Sequence, residues 1–227
     1  MKTLAMMTLA GAVVCGAGVA AAAELPGIAG GSYTVPVISL REARFRATAH
    51  QQDDFSCGSA ALATLLSYHY DKPVTERQVF DAMYAAGDQQ KIRREGFSLL
   101  DMKRYLAQQG FIADGYVQPL QKLAEAGLPA IVRIVENGYL HFVVVKGIDE
   151  GRVLVGDPSR GTRAMRRAEF EAMRPDQLLF VIHNWVGRPR FNLQADWSVA
   201  PRAPLGEAIS RSSLTDITLF KNGSGNY

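Results

Sequence analysis

The sequence predicts an α+β domain in which a helical half packs on an antiparallel sheet. Two observations carry that reading. Helix-forming runs with recognisable caps dominate residues 57–127, and short Val- and Ile-rich runs separated by turn dipeptides occupy residues 130–156. Helices first and strands later is the order expected of an α+β domain. With 227 residues the chain can build one domain with a full hydrophobic core, and is short for two.

The helices come first. Residues 57–70 hold Ala60, Ala61, Leu62, Ala63, Leu65 and Leu66, strong helix formers or core residues, with Asp53 and Asp54 just ahead where acids favour a helix N-terminus. Lys72-Pro73 ends that run. A second helix is predicted over 75–86, with Thr75 as N-cap and Gly87 as stop. A third runs over 99–109, where Ser98 and Asp101 stand at capping-box spacing and Gly110 closes the element. Pro119 opens a short helix that ends at Gly127. The strands follow at 130–135, 140–146 and 152–156. Asn137-Gly138 and Glu150-Gly151 lie between them, which reads as an antiparallel meander. One more helix is predicted over 165–173 and a last strand over 177–183. Residues 184–227 lose periodicity and read as a loosely structured tail with a short strand at 216–220.

Ahead of the domain, Lys2, the apolar run 4–20 and the small residues Ala21-Ala22-Ala23 have the layout of a secretory signal peptide covering residues 1–23. Val14 stands where a lipoprotein signal needs a small residue before Cys15. Residues 24–44 read as an extended segment with a strand near 33–38, and the folded body as residues 45–183. The expected destination is the periplasm, with no stable membrane span after signal cleavage.

Hydrophobic residues make up 48% of the chain and charged ones 21%, ordinary for a soluble globular protein. The net charge of +3 is small and the basic residues are scattered, which gives no electrostatic case for nucleic acid. The basic cluster Arg163, Arg166, Arg167 reads as a solvated helix face. Of two cysteines, Cys15 leaves with the signal peptide, so the mature chain keeps Cys57 alone. A single thiol in an oxidising compartment is either inert and buried or useful.

Its surroundings favour use. Cys57 opens a predicted helix, and a helix N-terminus together with an imidazolium favours the nucleophilic thiolate. Gly58 is expected to leave the sulfur open to approach. Among four histidines, His50 lies in a loop, His69 is more than three turns from the thiol, and His183 has no acid near it in sequence. His141 begins an apolar strand. A lone histidine there is more often a satisfied core residue than a base, but Asp157 ends the next strand. In an antiparallel hairpin the start of one strand lies beside the end of the other. Asp157 can therefore orient the His141 ring, whereas Asp149 belongs to the far end. Asp157-Pro158 also reads as a turn. Gln51, six residues before Cys57, could join the Cys57 N–H in an oxyanion hole, though spacing alone says little for a glutamine.

Gln51, Cys57-Gly58, His141 and Asp157-Pro158, in that order, resemble the pattern of the bacteriocin-processing cysteine peptidases that remove double-glycine leaders. That family is usually found at the N-terminus of ABC exporters. The resemblance covers residues 45–183. It implies a papain-like fold, with Cys57 as nucleophile, His141 as base, Asp157 as orienter and Gln51 as oxyanion donor. The signal peptide and tail are departures from the cytosolic exporter domains. They match instead the exported peptidase-like components of bacterial functional-amyloid export systems. That narrower likeness implies amyloid subunits and an outer-membrane export pore as partners.

The function expected is hydrolysis of a peptide bond in a protein substrate, with no cofactor and no metal. Acyl transfer on the same triad, or a binding or chaperone module that holds an export substrate without cutting it, are the alternatives.

Overall fold

The computed structural model describes residues 22–26, 32–36 and 38–200. Two strands, β1 (Ala22–Pro26) and β2 (Ser32–Pro36), form an antiparallel hairpin of their own. The expected signal peptide, save Ala22 and Ala23, lies outside the described residues, as does the expected strand at 216–220. The main body begins with α1 (Leu40–Phe45), so the segment read as extended up to residue 44 is in part helical.

Helix α2 (Cys57–His69) is the central element. Ala60, Ala61, Leu62, Ala63, Leu65 and Leu66 are fully buried, as expected of a helix that is apolar on every side. Helix α3 (Glu76–Ala86) starts with the expected cap, and Thr75 and Gln78 form a reciprocal capping box. Helix α4 (Gln89–Glu95), capped by Asp88, was not anticipated; it buries only Ile92 and so leaves no periodic signature. Helix α5 (Leu99–Gln108) has the predicted Ser98–Asp101 box.

Strand β3 (Ala113–Val117) escaped the sequence reading because its Asp114-Gly115 pair looks like a turn. After α6 (Gln121–Ala126) come β4 (Ala130–Glu136), β5 (Tyr139–Ile148) and β6 (Arg152–Asp157), the predicted meander. Asn137 and Gly138 take φ of 52° and 78°, the left-handed pair that a two-residue hairpin turn requires. Strand β7 (Gly161–Arg166) precedes α7 (Arg167–Ala172), which corrects the predicted helix over 165–173 and the helix-face reading of Arg163. Strand β8 (Leu178–Ile182) completes a six-stranded antiparallel sheet in the order β3-β8-β4-β5-β6-β7.

The sheet buries both faces by alternation along its strands. Ile131, Val144 and Phe180 pack against α2, α3 and α5, while Val132, Val143, Val145 and Val155 pack against Leu123 of α6 and Phe170 of α7. The helical half thus covers one face as predicted, and two short helices cover the other.

Residues 184–200, expected to be loose, are docked. Strand β5 outruns β4, whose pairing ends at Ala130↔Val145. Asn192 fills the open edge: its N–H donates to the Lys146 carbonyl (2.9 Å), and its side chain bonds both Ile148 N and Ile148 O. Beyond it, α8 (Gln194–Trp197) brings Asp196 to 3.0 Å from the ammonium of Lys146, which is fully buried. Single polar anchors of this kind have no periodicity to read. Among the described residues no helix is long and apolar enough to cross a membrane.

Candidate active site

Cys57 is the first residue of α2, preceded by Ser56 at the N-cap. The loop before it is tied by bonds that converge on one carbonyl. Asp53 O accepts from Ser56 N (3.1 Å), Ser56 Oγ (3.0 Å) and Gln51 Nε2 (3.2 Å). Ser56 Oγ in turn accepts from Asp53 N, so no side chain occupies the free N–H groups of the helix start. Gly58 has a different part from the one expected. A Cβ there would stand 3.0 Å from Phe97 Cβ and 2.9 Å from Met102 Cε, so glycine lets α2 pack closely beneath the site.

The sheet supplies the other two residues. The last β5–β6 pair is Val144↔Gly156. Continuing that register sets Asp157 opposite Val143, and His141, two residues nearer the start of β5 on the same face, becomes its diagonal neighbour. The side chains meet: His141 Nε2 lies 2.9 Å from Asp157 Oδ1, and the Cys57 thiol is near enough to the His141 ring to favour its protonated form. The structure therefore brings Cys57, His141 and Asp157 together. Gln51 sits at the same end of the sheet, its N–H donating to Pro158 O (3.1 Å). Its side-chain nitrogen bonds Asp53 O, and its Oε1 is buried without a partner.

Electrostatics make His141 and Asp157 an ion pair. Burial disfavours charge on His141, but its bonds to Asp157 and Cys57 outweigh burial and raise its pKa to about 9. Burial alone would push the Asp157 carboxyl up; the His141 imidazolium and the Ser159 donors overcome it and hold that carboxyl well below the usual range. Ser159 donates to Asp157 Oδ1 from both N (2.9 Å) and Oγ (2.8 Å). Asp157 Oδ2 faces Arg163 Nη2 at 2.9 Å, close as an ion pair though not aligned as a hydrogen bond.

The remaining histidines are elsewhere. His50 donates to Gln51 O and packs against Phe45 with the rings tilted by 51°. His69 is buried, which lowers its pKa to about 4, and its Nδ1 bonds Arg190 O. His183 does have an acid partner, Asp114 of β3 at 2.9 Å, which its own stretch of sequence could not reveal. Asp149 pairs with Arg152 at the far end of the hairpin.

Sequence reasoning missed Ser159, Arg163 and Tyr139. Tyr139 OH donates to Asp54 O (2.7 Å), joining the start of β5 to the loop before Cys57. A turn residue two past a functional acid is a signal that could have found Ser159. The sulfur opens on a cleft of about 670 Å³ whose walls include Phe55, Phe97, Leu99, Tyr139, Leu140 and Phe142.

Comparison with known proteins accords with this geometry. The chain is 43% identical over 146 residues to the probable functional amyloid protease FapD of Pseudomonas aeruginosa, an alignment covering 64% of each chain. It is 40% identical over 156 residues to the protein of the same description from Pseudomonas fluorescens, covering 69% of this chain and 68% of that one. The match thus spans a little under two thirds of the first relative's length. The fold is similar to the peptidase domain of Streptococcus ComA, a bifunctional ABC transporter involved in a quorum-sensing pathway. That similarity has a TM-score of 0.51 at 19% identity and covers 60% of this chain and 96% of that domain. The α+β fold is papain-like. Residues 46–184 match the Peptidase C39 family, and the chain belongs to it.

Proposed function

We propose that the protein is a thiol peptidase in which Cys57 is the nucleophile, His141 the base, Asp157 the orienter, and Gln51 with the Cys57 N–H the oxyanion hole. The observation that carries this reading is the buried His141–Asp157 pair, with Nε2 at 2.9 Å from Oδ1, set beside Cys57 at the first position of α2. The sulfur, at the N-terminus of a buried helix and against an imidazolium, attacks the scissile carbonyl. Negative charge on the carbonyl oxygen is met by the Cys57 N–H and the second hydrogen of the Gln51 amide, whose first is held by Asp53 O. His141 gives its proton to the leaving amine, and a thioester remains. Water, losing a proton to His141, attacks the thioester; the acid leaves and the thiolate–imidazolium pair is restored.

The substrate we propose is an exported protein of a functional-amyloid system, met in the periplasm. Support comes from the description of the two relatives and from the signal-peptide layout of residues 1–23. Amyloid subunits and an outer-membrane pore are the partners implied. Mass spectrometry of exported proteins from cells carrying wild-type or Cys57→Ala protein tests this. New termini that depend on Cys57 are expected. Identical termini in both strains, with substrate intact after long incubation under reducing conditions, would point to a holding module instead.

A further inference from the structure

We infer that Arg163 is a positioning residue for the site: it keeps Asp157 charged and oriented while His141 passes through both protonation states. The inference rests on the triad reading above.

Asp157 is fully buried, and a buried carboxylate needs compensation at both oxygens. Oδ1 has it from His141 and from the two Ser159 donors. Oδ2 faces Arg163 Nη2 at 2.9 Å. The placement follows from register. Arg163 is opposite Val155 in the β6–β7 ladder, so it lies diagonally from Asp157 on the face they share. His141, Asp157 and Arg163 thus form a row across β5, β6 and β7. The guanidinium is also held from behind. Its Nη2 is 3.2 Å from Glu136 Oε2, while Glu136 Oε1 takes Arg160 Nη1 at 2.7 Å. The Arg163 side chain is only 19% exposed, unlike a solvated surface arginine.

The chemistry explains why a second cation is needed. While His141 is an imidazolium, Asp157 has a charged partner. When His141 gives its proton to a leaving group, the carboxylate becomes a buried anion beside a neutral ring. A lone carboxylate could then take a proton or swing away. A guanidinium does not lose its charge in this range, so Arg163 holds the carboxylate in place both in the resting ion pair, which alkylation of the thiol reads, and through that half of the cycle. The ion-pair partners of Arg163 are Glu136 and Asp157, so it acts on the thiol and the imidazole through Asp157.

The test is a double-mutant cycle read by alkylation of Cys57 with iodoacetamide at pH 7, which needs no natural substrate. Arg163→Met is expected to slow alkylation about tenfold, by analogy with the lower end of the range for partners that orient metal-binding side chains. Arg163→Lys, which keeps the charge, is expected to recover more than half of that loss. In an Asp157→Asn background Arg163→Met should change the rate less than about twofold, because its route to the thiol is already gone. Arg160→Ala, which removes only the outer partner of Glu136, should keep the wild-type rate. If Arg163→Met melts at a much lower temperature than wild type, the Arg163→Lys cycle with Asp157→Asn decides, and it must show the same non-additivity. A wild-type rate in Arg163→Met, or an equal loss in both backgrounds, overturns the inference while leaving the triad standing. A wild-type rate in Asp157→Asn overturns the triad reading and this inference together.

Discussion

Replacing His141 by glutamine should remove a pH-dependent part of the protein's stability whose size and sign follow from the site. His141 is held at about 9 against an ordinary value of 6.5, through its bonds to Asp157 and Cys57 and in spite of burial. A histidine whose pKa is raised by folding contributes stability that is fully present below pH 6.5 and is lost as pH rises through 9. At about 1.4 kcal/mol per pH unit, the difference amounts to about 3 kcal/mol at pH 6. About half of it remains at pH 8, and almost none at pH 10. The side chain is 7% exposed, so solvent screening removes little of this. The lowered pKa of Asp157 reflects the same ion pair and is not added to it. The assay is urea unfolding of wild type and His141→Gln across pH 6 to 10. Lost packing and the titration of distant groups are common to all pH values or to both proteins, and drop out of the change in the gap. The gap should shrink by about 3 kcal/mol between pH 6 and pH 10, with its midpoint near pH 8. A gap that stays flat, or that closes below pH 7, would show that His141 is not ion-paired in the folded protein.

Three further outcomes are expected. Gln51→Ala should lower kcat by ~10²–10³-fold with little change in KM, the range for losing one oxyanion donor; steady-state kinetics with Gln52→Ala as control decides, and a loss confined to Gln52→Ala would misplace the oxyanion hole. Cys57 should alkylate faster at pH 6 than free cysteine, because the α2 N-terminus and the His141 imidazolium both stabilise negative charge at the sulfur. His141→Ala should remove most of that advantage, and a wild-type rate no higher than that of a model thiol would count against a nucleophilic role. Asp196→Ala should cost about 3–5 kcal/mol in urea unfolding, because it leaves the buried Lys146 ammonium without its counter-ion. Lys146→Met added to it should restore much of the loss, and a cost below 1 kcal/mol for Asp196→Ala, at the level of an exposed pair, would mean that residues 184–200 are not docked in solution.

Much of the geometry of the candidate site is legible in the sequence, because its determinants are local or follow from counting. Caps at Thr75 and Ser98, the Asn137-Gly138 turn and the valine-rich runs of β5 and β6 act within a few residues of themselves. Once those strands were read as a hairpin, the meeting of His141 with Asp157 followed from register, and the start of α2 put Cys57 at a helix N-terminus. Tertiary structure decided what depends on partners distant in the chain. Strand β3 has poor strand residues at Asp114-Gly115 and exists through its ladder with β8, formed by residues more than sixty positions later. Strand β7 was hidden because its six residues, Gly161–Arg166, are half polar, and only pairing with β6 turns Arg163 from an apparent surface charge into the partner of Asp157. Asp196 lies in a stretch without periodicity, and nothing near it announces Lys146 fifty residues upstream. Local propensity and alternation report the free energy of a residue among its sequence neighbours; a buried ion pair draws its energy from the exclusion of water, and water is excluded only when the whole chain closes over the pair.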